Sequence, residues 1–251
     1  MFDWISKLNE LKKSSESFCL ATITNTRGSG PRKLGTRMIV IGDGSFFGTI
    51  GGGNLEHLVL KKAKSCMGEG ENITCNFPLD EENGQECGGS VDVLFEVFGK
   101  NPRLFIFGSG HVGLAVSKIL KDTLFDVHLI DEREEWISKV EHGSKHQVHW
   151  KEFIEKNNWN EQDSYAVAMS PSHAYDLDIA SLMIQKSCKY FGVIGSKSKW
   201  ASFKRKLKEQ GISDEQIEKI KSPIGMVRAG SAPTEIAISL ACELLDTYYN
   251  K

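Results

Sequence analysis

No apolar run in these 251 residues approaches the roughly 20 needed to cross a bilayer as a helix. A helical membrane span is therefore excluded. Charge of one sign is also missing. Lys and Arg number 31, Asp and Glu 33, and the net charge is −2. That balance removes the global electrostatic case for nucleic acid or an anionic membrane as partner. The six cysteines are scattered at positions 19, 66, 75, 87, 188 and 242, and no Cys-x-x-Cys occurs. Neither a zinc site nor a disulfide framework is expected, and a reducing cytoplasm is. The opening segment Met1-Phe-Asp-Trp-Ile carries an early acid and lacks the basic start and continuous apolar core of a signal peptide. There is no internal repeat and no low-complexity tract.

The chain has an ordinary globular composition, 40% hydrophobic and 25% charged, and its length favours two domains. Its most informative stretch runs from Arg103 to Arg133. Leu104–Phe107 is wholly apolar, as in a parallel strand buried on both faces. Gly108, Gly110 and Gly113 follow in the spacing G-x-G-x-x-G. Val112, Ala115, Val116, Ile119 and Leu120 then recur at helical spacing. A second apolar run, Val127 to Ile130, ends on Asp131, eighteen residues past Gly113. This strand, glycine turn, helix, strand and acid constitute a Rossmann unit. Gly108 permits the tight turn, Gly110 lets the backbone approach a pyrophosphate, and Gly113 lets the helix pack on the strand. The helix N-terminus favours phosphate, and Asp131 can accept from a ribose diol. NAD(H) is therefore expected ahead of NADP(H), while Arg133 could instead bind a 2′-phosphate or pair with Glu132.

Before that unit the chain reads as a smaller α+β domain over residues 1–99. A helix is expected at 2–13, with Phe2, Ile5, Leu8 and Leu11 on one side. Strands are expected at 18–24, 73–77 and 91–98. A hairpin pairs 37–41 with 45–50 across Gly42-Asp43-Gly44. Asn54 is expected to cap a helix running to about Met67. Residues 79–86 read as a loop, and 99–102 as the linker. From 103 to 251, strands at 146–150, 165–169 and 190–194 alternate with helices at 199–210, 213–221 and 233–248. That alternation specifies an α/β fold with a Rossmann-type doubly wound parallel sheet.

Ligands of such sheets sit beyond the carboxyl ends of the strands. This rule selects Gly108 to His111, Asp131 to Arg133, Ser170 to His173, and Gly195-Ser196. His111 reads either as a turn residue or as a base. His173 is the stronger acid/base candidate, although Ser170-Pro-Ser-His with Asp176 also reads as helix capping. In the first domain, Gly51-Gly52-Gly53 before a helix, with Arg27, Arg32 and Lys33 on a glycine-rich loop, form an anion-binding design. The same glycines could merely turn the hairpin into its helix. Cys87, beside two glycines, reads either as a soft ligand for metal or sulfur or as a small packed residue. Cys19, Cys75 and Cys242 are expected in the core.

Gly28-Ser-Gly-Pro-Arg32, Gly35, Met38, Gly48-Thr-Ile-Gly-Gly-Gly53, Glu56 and Cys87-Gly-Gly resemble the first domain of the XdhC/CoxI family. Gly108-x-Gly-His-Val-Gly113, Asp131-x-Arg133, Gly195-Ser196, Pro223-Ile-Gly225 and Pro233-Thr-Glu-Ile-Ala237 resemble its Rossmann-type second domain. The resemblance covers nearly the whole chain in order. Two departures stand out: Ser170-Pro-Ser-His replaces the family's Thr-His, and Lys197 and Lys199 stand where arginine is usual. The resemblance implies an accessory protein of xanthine dehydrogenase and related molybdenum hydroxylases. Such a protein binds the molybdenum cofactor (molybdopterin), assists its sulfuration and insertion, and is not itself a turnover enzyme. It further implies a cysteine desulfurase as sulfur donor and a homodimer. On this reading Arg32 and Gly51 to Gly53 hold the pterin phosphate and Cys87 handles molybdenum or sulfur. Gly108, Gly110, His111, Gly113, Asp131, Arg133, Gly195 and Ser196 face a nucleotide. The rival reading is an NAD(P)-dependent oxidoreductase with His173 as acid/base.

Overall fold

The structure is a computed structural model that describes residues 3–14, 16–28, 32–79, 89–99, 101–226 and 230–250. It divides into two compact units, Met1–Lys100 and Asn101–Lys251.

The first unit is a five-stranded antiparallel sheet ordered β3-β2-β1-β5-β4. The strands are β1 (Phe18–Arg27), β2 (Arg37–Ile41), β3 (Phe46–Gly48), β4 (Ile73–Leu79) and β5 (Gly89–Phe98). Side chains alternate along β1, and the register Leu20↔Ile39 and Cys19↔Val40 sorts the pairs onto opposite faces. Cys19, Ala21, Ile23, Met38, Val40, Val93 and Phe95 cluster with Leu55, Val59, Ala63 and Cys66 of α2 (Gly53–Glu69). Phe18, Leu20, Ile39 and Ile41 cluster with Leu11, Leu8 and Trp4 of α1 (Trp4–Ser14). The inward row of α1 is therefore Trp4, Leu8, Leu11, and Ile5 is 56% exposed, contrary to the expected stripe. The Asp-Gly turn forms: the Asp43 carboxylate accepts from the Ser45 backbone N–H and hydroxyl, and Gly44 takes φ +92°. The start of α2 is also corrected. Gly52, not Asn54, is the N-cap, and no side chain caps it.

The second unit is a six-stranded, wholly parallel sheet ordered β11-β10-β9-β6-β7-β8. Its strands are β6 (Arg103–Phe107), β7 (Asp126–Ile130), β8 (Ser144–His146), β9 (Ser164–Ala168), β10 (Tyr190–Val193) and β11 (Ile220–Lys221). Counted from β6, this is the 3-2-1-4-5-6 order of the doubly wound fold, with its reversal between β6 and β9. The two faces are covered by different helices. Leu104, Ile106, Val127, Leu129, Tyr165 and Val167 pack on α3 (His111–Leu120) and α9 (Pro233–Tyr249). Phe105, Phe107, Ala166, Ala168, Phe191 and Val193 pack on α5 (Trp150–Lys156), α6 (His173–Met183), α7 (Lys197–Glu209) and α8 (Asp214–Glu218). A short α4 (Glu134–Ile137) follows β7. Burial on both faces is the physical reason these strands are apolar throughout.

Two expected elements of the second unit stop short. The strand expected at 146–150 ends at His146, and Trp150 opens α5. There the His149 ring accepts from the Lys151 backbone N–H at 3.2 Å and so turns an aromatic run into a helix start. The helix expected at 213–221 stops at Glu218. Ser213 and Gln216 make its capping box, but Ile220 then pairs with Phe191 as the sixth strand, buried at 5% exposure. Cys242, expected in the core, is exposed on α9; Cys19 is buried and Cys75 half-buried.

Candidate nucleotide site and anion loop

The glycine turn closes as its spacing demands. Gly108 follows β6 with φ +120°, and a Cβ there would lie 2.3 Å from the Met169 carbonyl oxygen. A Cβ on Gly113 would lie 2.2 Å from the Gly108 carbonyl oxygen, so only glycine lets α3 pack this close to the strand. Gly110, the N-cap of α3, has nothing within 4 Å of its Cβ position. The space that a pyrophosphate would need is thus open at the middle glycine. Ser109 is fully buried and its hydroxyl has no partner among the described residues. His111 is exposed at the start of α3 and packs edge-on to Trp136 at 4.9 Å.

The acid at the end of β7 is already engaged. Asp131 Oδ2 accepts from the Ser109 backbone N–H at 2.8 Å and from Arg133 Nη2 at 2.7 Å. Its Oδ1 accepts from the Arg133 backbone N–H at 3.1 Å and from Arg133 Nε at 2.9 Å. Four bonds saturate a carboxylate. Burial alone would raise the Asp131 pKa. Hydrogen bonds from the Arg133 side chain and the Ser109 and Arg133 backbones outweigh it and hold the carboxyl below its ordinary value. Arg133 therefore pairs with Asp131, not with Glu132 as one reading had it, and its guanidinium stands 5.5 Å over Trp136.

The ends of β9 and β10 hold a pair that sequence reasoning missed. Asp176, 1% exposed, accepts from the Ser170 backbone N–H and from Lys199 Nζ, both at 2.8 Å. Lys199 Nζ also donates to the Ile194 carbonyl at 2.9 Å. The lysine thus ties the loop after β10 to the first turn of α6. The signal was present in the helical spacing: Asp176 lies in one row with Ile179, Ala180 and Met183, the buried stripe of α6. Gly195 accommodates this arrangement, since its Cβ would lie 2.6 Å from the Lys199 chain. Ser196 is the N-cap of α7 and accepts from the Lys199 backbone N–H. Ser172 caps α6 in the same manner. His173 is exposed at the first position of α6, and no hydrogen bond to another described residue orients its ring.

A small cleft lies over the carboxyl ends of β6, β7 and β9. Gly108, Asp131, Arg133, Trp150, Ser170 and Tyr175 line it. It brings together the glycine turn, the acid and the loop after β9. His111, His173, Gly195 and Ser196 are not among its lining residues.

In the first unit, Gly51, Gly52 and Gly53 all have positive φ (142°, 78° and 64°) and lead from β3 into α2. Space is open at the Cβ positions of Gly52 and Gly53. Gly51 N–H donates to Thr49 Oγ1 at 3.2 Å, and that hydroxyl donates to Glu56 Oε2 at 2.5 Å. Arg32 is exposed, and no hydrogen bond among the described residues ties it to this turn. Arg27 lies 3.7 Å from Asp92. Cys87 lies outside the described residues.

Residues 104–244 match the model of the XdhC Rossmann domain, and residues 11–78 that of the XdhC and CoxI family. The chain belongs to the XdhC family. The curated protein YqeB of Escherichia coli (strain K12), itself uncharacterized, is 28% identical over 249 residues. The match takes in 96% of this chain and 45% of YqeB, so the chain spans about half the length of that relative. A crystal structure from Bacillus halodurans, described as a xanthine dehydrogenase, superposes with a TM-score of 0.54 at 21% identity. That alignment covers 100% of this chain and 97% of the other. At that identity the likeness concerns the fold. The XdhC assignment accounts for the order of the two units, antiparallel sheet first and Rossmann sheet second.

Proposed function

We propose that this XdhC-family chain is an accessory protein for a xanthine dehydrogenase or a related molybdenum hydroxylase. It binds the molybdenum cofactor and assists its sulfuration and insertion. Family membership over both units carries this reading, and the Bacillus halodurans fold relative described as a xanthine dehydrogenase points the same way. The residues of the first unit fit the phosphate end of such a cofactor. Open space faces the backbone at Gly52 and Gly53, and Arg32 is an exposed guanidinium suited to a bidentate phosphate contact. When bound, the cofactor would supply molybdenum chemistry at its metal end. Cys87 is the side chain proposed to receive metal or persulfide sulfur. A cysteine desulfurase is the proposed sulfur source, and the working form is a homodimer in the cytoplasm.

The second unit is proposed to bind NAD(H) in preference to NADP(H), as a ligand that sets its state rather than a substrate for turnover. The open approach at Gly110 and the acid after β7 support this. A ribose diol can reach Asp131 only when Arg133 releases it. Family membership favours this reading over an NAD(P)-dependent oxidoreductase with His173 as acid/base.

The test is co-expression with the cofactor pathway, followed by metal analysis and pterin fluorescence of the purified chain. Stoichiometric molybdenum that falls about tenfold or more in Arg32→Ala is expected, the scale of one charge-assisted phosphate contact. A chain that carries neither molybdenum nor pterin, and fails to activate a co-purified hydroxylase, would overturn the proposal.

A further inference from the structure

We propose that His128 and His146 form a proton-sensitive latch that fastens the edge strand β8 to β7. It is closed while the two rings share a hydrogen bond and opens when both are protonated. The latch does not depend on what either unit binds.

β8 is three residues long and lies at the edge of the sheet, paired with β7 alone. Few backbone bonds hold so short an edge, so side-chain bonds to β7 carry more of its attachment. Ser144 lies opposite His128, and His146 opposite Ile130. Alternation puts Asp126 and His128 on one face of β7, and the His146 ring reaches them there. His128 Nδ1 lies 3.0 Å from His146 Nε2, and His128 Nε2 lies 3.1 Å from Asp126 Oδ2. The carboxylate fixes the protons. Asp126 can only accept, so His128 Nε2 carries its hydrogen, Nδ1 of the neutral ring accepts, and His146 Nε2 donates to it. A metal ion does not fit in place of that hydrogen. Two nitrogens held at about 2.0–2.1 Å in a tetrahedral site stand wider apart than 3.0 Å.

One added proton is accommodated. It enters from solvent at His146 Nδ1, the bridging proton passes to His128 Nδ1, and His146 Nε2 becomes the acceptor. The charge then lies beside Asp126. A second proton is not accommodated. Both facing nitrogens would carry hydrogens, no lone pair would remain between them, and two cations would meet at 3.0 Å. The surroundings do not offset this. Phe105 of β6 packs on His128 at 5.1 Å and Phe153 of α5 on His146 at 4.9 Å, so both rings meet aromatic surface. Asp126 is the counter-charge. Arg103 acts on Asp126 and is itself bound to Asp163 at 2.8 Å. Burial, and then the charge of His128, hold His146 below the ordinary imidazole range. Once charged, His146 must swing away, and the edge strand yields more readily than β7, which is paired on both sides. The His146 carbonyl accepts the Asp131 backbone N–H at 3.2 Å, so the same movement loosens that bond.

The lowered folded value sets the sign. The contribution of His146 to stability is whole above about pH 6.5, the ordinary imidazole value, and is lost as pH falls through the lower folded one. The experiment uses the full ¹⁵N-labelled chain and His146→Gln. At neutral pH the His146 ring should carry its hydrogen on Nε2. It should titrate below about pH 6.5, and the Asp131 amide resonance should move with the same midpoint. The melting temperature of the parent should fall by about 2–4 °C between about pH 7 and about pH 5. His146→Gln keeps a donor towards His128 but cannot be charged, so its melting temperature should fall less over that range. An ordinary midpoint for His146, an Asp131 amide that does not follow it, or a fall in His146→Gln equal to that of the parent would overturn the latch. If His146→Gln folds poorly, the two resonances of the parent decide.

Discussion

Removing Arg133 should tighten, not weaken, the binding of NAD(H). The Asp131 carboxylate has four acceptor positions and all are taken, two of them by the Arg133 side chain at 2.9 and 2.7 Å. The pair is partly withdrawn from water, with side chains 28% and 4% exposed. A ribose diol must displace both charge-assisted bonds before it can make its own. Hydrogen bonds to a charged group are worth about 1.5–3 kcal/mol each, but water around the released guanidinium returns much of that. A net obstacle of about 1.4 kcal/mol is a reasonable central value, which is about tenfold in affinity. Arg133→Ala should therefore bind NAD(H) about tenfold more tightly by calorimetry, and NADP(H) no more tightly than the parent does.

Stability should move the other way. A buried carboxylate that keeps only two backbone donors loses about 1–3 kcal/mol. The pH dependence follows from the depressed Asp131 pKa. Its contribution to stability is present above the ordinary carboxylate pKa and is lost as pH falls through the lowered folded value. In Arg133→Ala that acid-side loss should shrink and be complete at a higher pH, because the folded pKa lies closer to the ordinary value. Weaker NAD(H) binding by Arg133→Ala would show that Arg133 holds the ligand rather than occupying its acceptor. Selective loss of NADP(H) binding would assign it to a 2′-phosphate.

Gly113→Ala should destabilise the second unit by about 1–3 kcal/mol, because its methyl meets the Gly108 carbonyl oxygen at 2.2 Å; a calorimetric melt unchanged from the parent would refute the close packing. Lys199→Met should cost about 3–5 kcal/mol by stranding the buried Asp176 carboxylate. Combining it with Asp176→Leu should recover part of that loss, and denaturant titrations that show simple additivity would refute the pairing. Cys87→Ser should retain bound molybdenum but fail to activate an inactive molybdenum hydroxylase. Activation equal to that of the parent would make Cys87 a packing residue.

Sequence by itself determined what depends on neighbours along the chain. Wholly apolar runs such as Leu104–Phe107 announce strands buried on both faces, and alternation with helical periods announces the doubly wound sheet. Asp43-Gly44 makes the hairpin turn because φ is positive there, and Gly113 is dictated by the Gly108 carbonyl within the same strand–helix unit. Tertiary structure decided what depends on partners far apart. Asp131 was legible as the acid of a ribose site, but not that its acceptors are saturated by Arg133 and by the Ser109 backbone 22 residues earlier. Asp176 read as part of a helix cap, and Lys199 only as a departure from the family's usual arginine. They become a buried pair only because α6 and α7 converge at the ends of β9 and β10, where an unpaired charge would be costly. Trp150 looked like the end of a strand and became the wall of a cleft once β8 stopped at His146. Periodicity records which way a side chain faces. What it meets there is settled by the order in which the sheet assembles.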